Sequence, residues 1–115
     1  MANNIPFQPM GKSVCVQSTT ANTQSNVFTI TADSPCQQYF VTNHDVNNSV
    51  NVRISSTSSF NIAIPDANGA YGVCVPPFGY KVFTGPQVNS ESNVYARIIS
   101  SGANIKCTIC PGEGF

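Results

Sequence analysis

Wherever this chain carries large apolar side chains in a run, they alternate with polar ones, and proline or glycine soon cuts the run short. Val94/Ala96/Ile98, Ile105/Cys107/Ile109, Val50/Val52/Ile54 and Phe60/Ile62/Ile64 all repeat at every second residue. A period of two places one set of side chains on one face of an extended strand, whereas a helix needs apolar positions three or four apart. No window holds the helical spacing for long, so the chain is confined to all-β architectures. The first two of these runs flank Ser100-Ser101-Gly102-Ala103 and read as a hairpin. The other two flank Ser55 to Ser59 and read as a second one, closed by Pro65.

The remaining strands are shorter. Val14 to Gln17, Val27 to Thr31, Gln37 to Thr42, Val73 to Val75 and Tyr80 to Thr84 each fit an extended segment. For Gln37 to Thr42 the pattern leaves open which face is inward, because Phe40 opposes Tyr39 and Val41. Between them lie turn chemistries: Asp33-Ser34-Pro35, the Asn43 to Ser49 stretch, Asn68-Gly69 and Gly85-Pro86, with the polar run Ser18 to Asn26 as an exposed loop. Pro111-Gly112 is expected to stop the last strand, since proline has no N–H for a ladder. The sum is about eight short strands at spacings of about 8 to 12 residues, the signature of an antiparallel β-sandwich with jelly-roll-like connections. At 115 residues it forms one domain. Its parts are an extended N-terminal arm over 1–12, the sandwich over 13–110 and a short C-terminal tail over 111–115.

Charge excludes several function classes. Only 9% of the residues are charged and the formal net charge is zero, so solubility rests on Asn, Ser and Thr, about a third of the chain. Such a surface neither steers toward phosphates nor repels copies of itself. Lys12, Arg53, Lys81, Arg97 and Lys106 are scattered, which argues against nucleic acid as a partner. No stretch approaches the roughly 20 apolar residues of a membrane span, and MANNIPFQPMGK lacks a signal layout, so residence in a cytosol is expected. Five cysteines, Cys15, Cys36, Cys74, Cys107 and Cys110, are then best read as free, mostly buried thiols.

Chemistry finds little purchase. Cys107 and Cys110 have CxxC spacing, which could mark a redox pair or half a zinc site. On a strand, however, residues three apart point to opposite faces, and no second pair has matching spacing. His44-Asp45 lacks a nucleophile elbow and reads as a solvated turn. The carboxylates Asp33, Asp45, Asp66, Glu91 and Glu113 lie in turns or the tail and form no evident acid–base pair. No enzyme activity, metal or cofactor is expected. The sharper candidates are the two terminal segments, with Ile5, Phe7 and Met10 in the arm and Glu113 and Phe115 in the tail; Tyr71 and Phe78 around Pro76-Pro77 rank behind them. Flexible arms with such anchors can reach over a neighbouring molecule, and aromatic patches rimmed by polar residues mark interaction sites.

The opening MANN followed by Phe7, Pro9 and Gly11, then Ala63-Ile64-Pro65, then Pro77-Phe78-Gly79 leading into Val82-Phe83-Thr84-Gly85-Pro86, form a pattern with Tyr95-Ala96, Ile98 and Ser101-Gly102. Closing on Pro111-Gly112-Glu113-Gly114 and a large apolar residue, it resembles small proteins encoded beside capsid genes in tailed phages and prophages. The chain departs from them in its longer stretch from Asp66 to Val75 and in its cysteines. The resemblance implies a virion structural protein on the capsid surface. It would be a cement, or decoration, protein, made in the host cytoplasm and bound where major capsid protein subunits meet as a dimer or trimer of itself. A tail or head-fibre module that binds host-surface carbohydrate is the alternative, suited to the Asn/Ser/Thr-rich loops and turn tyrosines.

Overall fold

The computed structural model describes residues 7–64, 69 and 72–114. Ile5, Tyr71 and Phe115 therefore lie outside the described residues. The described chain is all-β and holds no helix, so none is long and apolar enough to cross a membrane. Its strands are β1 (Gln8–Pro9), β2 (Val14–Ser18), β3 (Phe28–Ile30), β4 (Cys36–Asn43) and β5 (Val50–Ser55). They continue with β6 (Val73–Val75), β7 (Tyr80–Val88), β8 (Val94–Ile99) and β9 (Ile105–Glu113).

These strands make two antiparallel sheets. One runs β1-β9-β4-β7, with β2 also on β9; the other runs β3-β8-β5-β6. The pairings are nested: β2 with β9, β3 with β8, β4 with β7 and β5 with β6. A single long antiparallel ribbon, doubled back at the β5–β6 connection and rolled up, gives this order, which is the jelly roll. Contacts of β4 with β9 and of β5 with β8 then weld the rolled layers into sheets. Between them Val16, Ile30, Tyr39, Val50, Val52, Ile98 and Ile109 are wholly buried. Removing one such side chain from water contributes about 1.5–3 kcal/mol.

Rolling explains where the pattern misleads. β8 and β9 are not a hairpin: they alternate as expected but lie in different sheets. Periodicity shows which face of a strand is covered and is silent about its ladder partner. The Phe60 to Ile64 stretch is not a strand at all, although Phe60 and Ile62 are buried at alternate positions. β5 already has β8 on one side and β6 on the other, so the stretch crosses the outer face instead. There Arg53 and Arg97 stand directly opposite each other. The Phe60 ring lies 5.3 Å from one guanidinium and 5.9 Å from the other. Arg97 donates to the Phe60 carbonyl at 2.8 Å and Arg53 to that of Asn61 at 2.6 Å, so cation–π contact and hydrogen bonds replace a ladder.

Gly85-Pro86 is not a turn but a bulge inside β7. The β4–β7 register shifts there, between Cys36 and Gln38. A side chain at position 85 would meet the buried Tyr39 ring at 2.9 Å, and the Tyr39 hydroxyl donates to the Pro86 carbonyl. Burial pushes the Tyr39 phenol far above its ordinary range, so it stays a donor.

Pro111-Gly112 does not stop β9 either. Pro111 pairs with Tyr39 on β4, while its carbonyl accepts from Met10 N–H at 2.9 Å on the opposite side. Its nitrogen faces that same side, at the seam where β1 gives way to β2, and a missing N–H costs nothing at such an interruption. The Ser18 to Asn26 loop is also less exposed than its composition suggests. Ser25 is buried, donates its N–H to the Ile98 carbonyl at 2.8 Å and accepts the Ile98 N–H on Oγ at 3.0 Å.

Candidate interaction surface

The jelly roll sorts its connections to two ends. At one end the β2–β3, β4–β5, β6–β7 and β8–β9 connections meet. Asn22 N–H donates to Ser100 O at 2.8 Å, Ser100 Oγ to Ser49 O at 2.7 Å, and Phe78 N–H to Asp45 O at 2.7 Å. At the other end the arm and the last strand close on the β3–β4 connection. Asp33 N–H donates to Met10 O at 2.7 Å, and Gln37 N–H to a Glu113 carboxylate oxygen at 2.6 Å.

The arm residues within the described chain pack on their own sandwich. Phe7 is only 8% exposed. Its ring rests on Gly112, where a Cβ would come within 2.7 Å of Phe7 Cε2, and its centroid is 5.5 Å from that of Phe40. Phe40 in turn stacks on Tyr80 at 5.1 Å and 5°. A row of aromatic rings thus crosses the outer face of the first sheet, passing over a glycine on β9. Tyr39 and Val41 face the core, which settles the orientation of β4. Met10 packs against the core, and Glu113 is bound to the Gln37 amide. Of the anchors named from sequence, Phe7, Met10 and Glu113 therefore gather at one end and serve the chain's own fold.

Phe78 is the exception. It is 74% exposed, and at φ 50° it occupies the left-handed region. Gly79 N–H donates to Pro76 O at 3.1 Å, closing a four-residue turn with Pro77 and Phe78 at its centre. Where the third residue has positive φ, glycine or asparagine is preferred, and a side chain such as phenylalanine is disfavoured by roughly 1–2 kcal/mol. Beside it, in the β4–β5 connection, Val46 is 63% exposed. Two large apolar groups therefore sit in water on adjoining turns, one of them in a strained conformation.

The turns beneath them are firmly built. Asn43 is wholly buried at the end of β4. Its side-chain amide donates to the carbonyls of Asn48 at 2.9 Å and Pro76 at 3.2 Å, and its carbonyl accepts Asp45 N–H at 2.9 Å. The Asn43 N–H also donates to Gly79 O at 2.8 Å. Asp45 accepts the N–H groups of Asn48 at 2.7 Å and Asn47 at 3.1 Å, and the Asn48 amide at 3.0 Å. The backbone N–H of Asn48 is the main cause that holds the Asp45 carboxyl below the ordinary aspartate range. The turn composition Asn-His-Asp-Val-Asn-Asn is visible in sequence, but it gives no sign that its first residue is buried and joins two connections.

The chemical candidates are engaged elsewhere. His44 Nε2 lies 2.6 Å from Thr108 Oγ1, away from the turn bonds that Asp45 makes. Cys107 faces the core and burial pushes its thiol up to about 12, while Cys110 lies on the other face of β9. Burial also raises the Cys36 thiol. Among the described residues no group of three or more His, Cys, Asp or Glu side chains could hold a metal ion. Compared with protein-family models, with curated proteins and with solved structures, the chain matches none.

Proposed function

We propose that this chain is a virion structural protein, a capsid cement or decoration protein that binds the major capsid protein lattice and stabilises the expanded phage head. The observation that carries the reading is Phe78, exposed and strained at the rigid end of a small sandwich with very few charges. Both features cost free energy in the isolated chain, and burial against a partner offsets the first. Val46 beside it enlarges the apolar anchor, and the hydrogen bonds of Asn43 and Asp45 hold the pair ready, so little ordering entropy is lost on docking. A lattice contact of this kind needs on the order of 1,000 Å² of buried surface, spread over several subunits. The polar, nearly chargeless remainder of the surface suits dense packing among many copies.

A carbohydrate-binding fibre module is the second reading, favoured by one observation. Tyr80 is 62% exposed, its ring stacked on Phe40 and its cross-strand neighbour the polar Thr42, a platform on which a sugar ring could stack. Copy number separates the two. Quantitative mass spectrometry of purified particles against the major capsid protein is expected to find the chain in hundreds of copies at a fixed ratio to the shell. A handful of copies would favour the fibre, and absence from the particle would sink both.

A further inference from the structure

The first sheet ends on β7, and among the described residues no strand pairs with its outer side. Which backbone groups are left there follows from the ladder. Asn43 N–H bonds to Gly79 O, and the register with β4 runs Thr42↔Tyr80, Val41↔Lys81, Phe40↔Val82 and Tyr39↔Phe83. Hydrogen-bonded pairs alternate, so Lys81 and Phe83 bond to β4 while the N–H and C=O of Tyr80, Val82 and Thr84 point to the open side. On the far side of β4 the alternation agrees, since His44 N–H bonds to Lys106 O. Three consecutive outward residues make an unfilled template for another strand.

We infer that a second copy of this chain fills it, β7 pairing antiparallel with β7 about a two-fold axis through Val82. In this register Val82 meets Val82, and Tyr80 meets Thr84 of the second copy. Every outward N–H and C=O of the three residues is thereby satisfied. Lys81 falls opposite Phe83 of the second copy, a cation beside an aromatic ring. Neighbouring registers are worse. A two-fold at Lys81 sets two ammonium groups directly opposite, and like charges so placed are destabilising. A two-fold at Phe83 sets Tyr80 against Pro86, which has no N–H to give. The Gly85-Pro86 bulge ends the open run just beyond Thr84, so pairing is confined to these residues. Because the pairing is isologous it uses the edge up, giving a closed dimer rather than a fibre. The zero net charge leaves no long-range repulsion between copies.

Sedimentation velocity of the purified full chain, followed up to about 100 µM because a dimer dissociates on dilution, tests this. The wild type is expected at twice the mass of one 12.2 kDa chain. Val82→Pro deletes an N–H that no bond within the chain uses, so it keeps the fold, checked by circular dichroism, and sediments as a monomer. Val82→Lys, which places two ammonium groups on the axis, is also expected as a monomer and removes any dependence on how proline is tolerated. Phe78→Asn remains dimeric whether or not it binds a capsid, so failure of the dimer and failure of the capsid reading are told apart. A wild type that stays monomeric or forms a trimer, or a Val82→Pro variant that folds and still dimerises, overturns the proposal.

Discussion

The two ends of the sandwich treat large apolar side chains in opposite ways. Where the arm meets the last strand, Phe7 is laid over Gly112 and against Phe40, and Met10 is drawn toward the core. Where the β4–β5 and β6–β7 connections meet, Val46 and Phe78 stand in water although the turns carrying them are closely hydrogen-bonded. Loose structure does not explain the second end, because the side chains of Asn43 and Asp45 tie its two connections together. The contrast separates apolar residues that hold the fold together from those the fold merely displays. A residue of the first kind costs stability when removed. One of the second kind costs only binding.

Substitutions at either end tell the two kinds of residue apart. The largest expected effect is Phe7→Ala, which removes a nearly buried ring and is expected to destabilise by about 3 kcal/mol, lowering Tm by roughly 12 °C in a thermal melt. A change within about 2 °C would show that the ring belongs to a partner rather than to this domain. Asn43→Ala leaves the Asn48 and Pro76 carbonyls and the Asp45 N–H without their partner, and a loss of about 2–3 kcal/mol is expected in urea unfolding. Gly112→Ala pushes a Cβ into the Phe7 ring and the Gln8 carbonyl, for a loss of about 1–2 kcal/mol. Phe78→Asn has the opposite sign. Asparagine tolerates positive φ, so stability is expected to rise by about 0.5–1 kcal/mol while binding to the shell is lost.

The smallest effect is that of pH at the tip. Asp45 has a folded-state pKa below its unfolded one, so its contribution is complete above the ordinary aspartate range and is lost as pH falls through the depressed value. Amide exchange of Asn47 and Asn48 is expected to quicken on acidification, once its intrinsic pH dependence is removed, and Asp45→Asn is expected to flatten that response.

Much of the fold can be read from the chain, for identifiable reasons. Alternation at Val50/Val52 and at Ile105/Cys107/Ile109 reports burial on one face, and burial is what the rolled sheets supply. It misreads Phe60 to Ile64, where Phe60 and Ile62 are buried without a ladder and Phe60 lies against two arginines. It joins β8 to β9 because a local pattern carries no trace of a partner as distant as β2 or β4. Pro111 looks like a stop until its nitrogen is found facing the seam between β1 and β2. At the surface, Phe78 is named by sequence but ranked behind Phe7, the reverse of their exposure. Their difference lies in a glycine across the sheet and in a positive φ, neither of which shows as hydrophobicity.

The decisive experiment on docking is co-sedimentation of the purified chain with expanded capsid shells lacking it, with wild type and Phe78→Asn compared at equal concentration. The wild type is expected to pellet with the shells to saturation, while Phe78→Asn stays in the supernatant and melts at the same temperature or higher. A Phe78→Asn variant that pellets like the wild type would contradict this, because the side chain displayed at the tip would then have no part in docking.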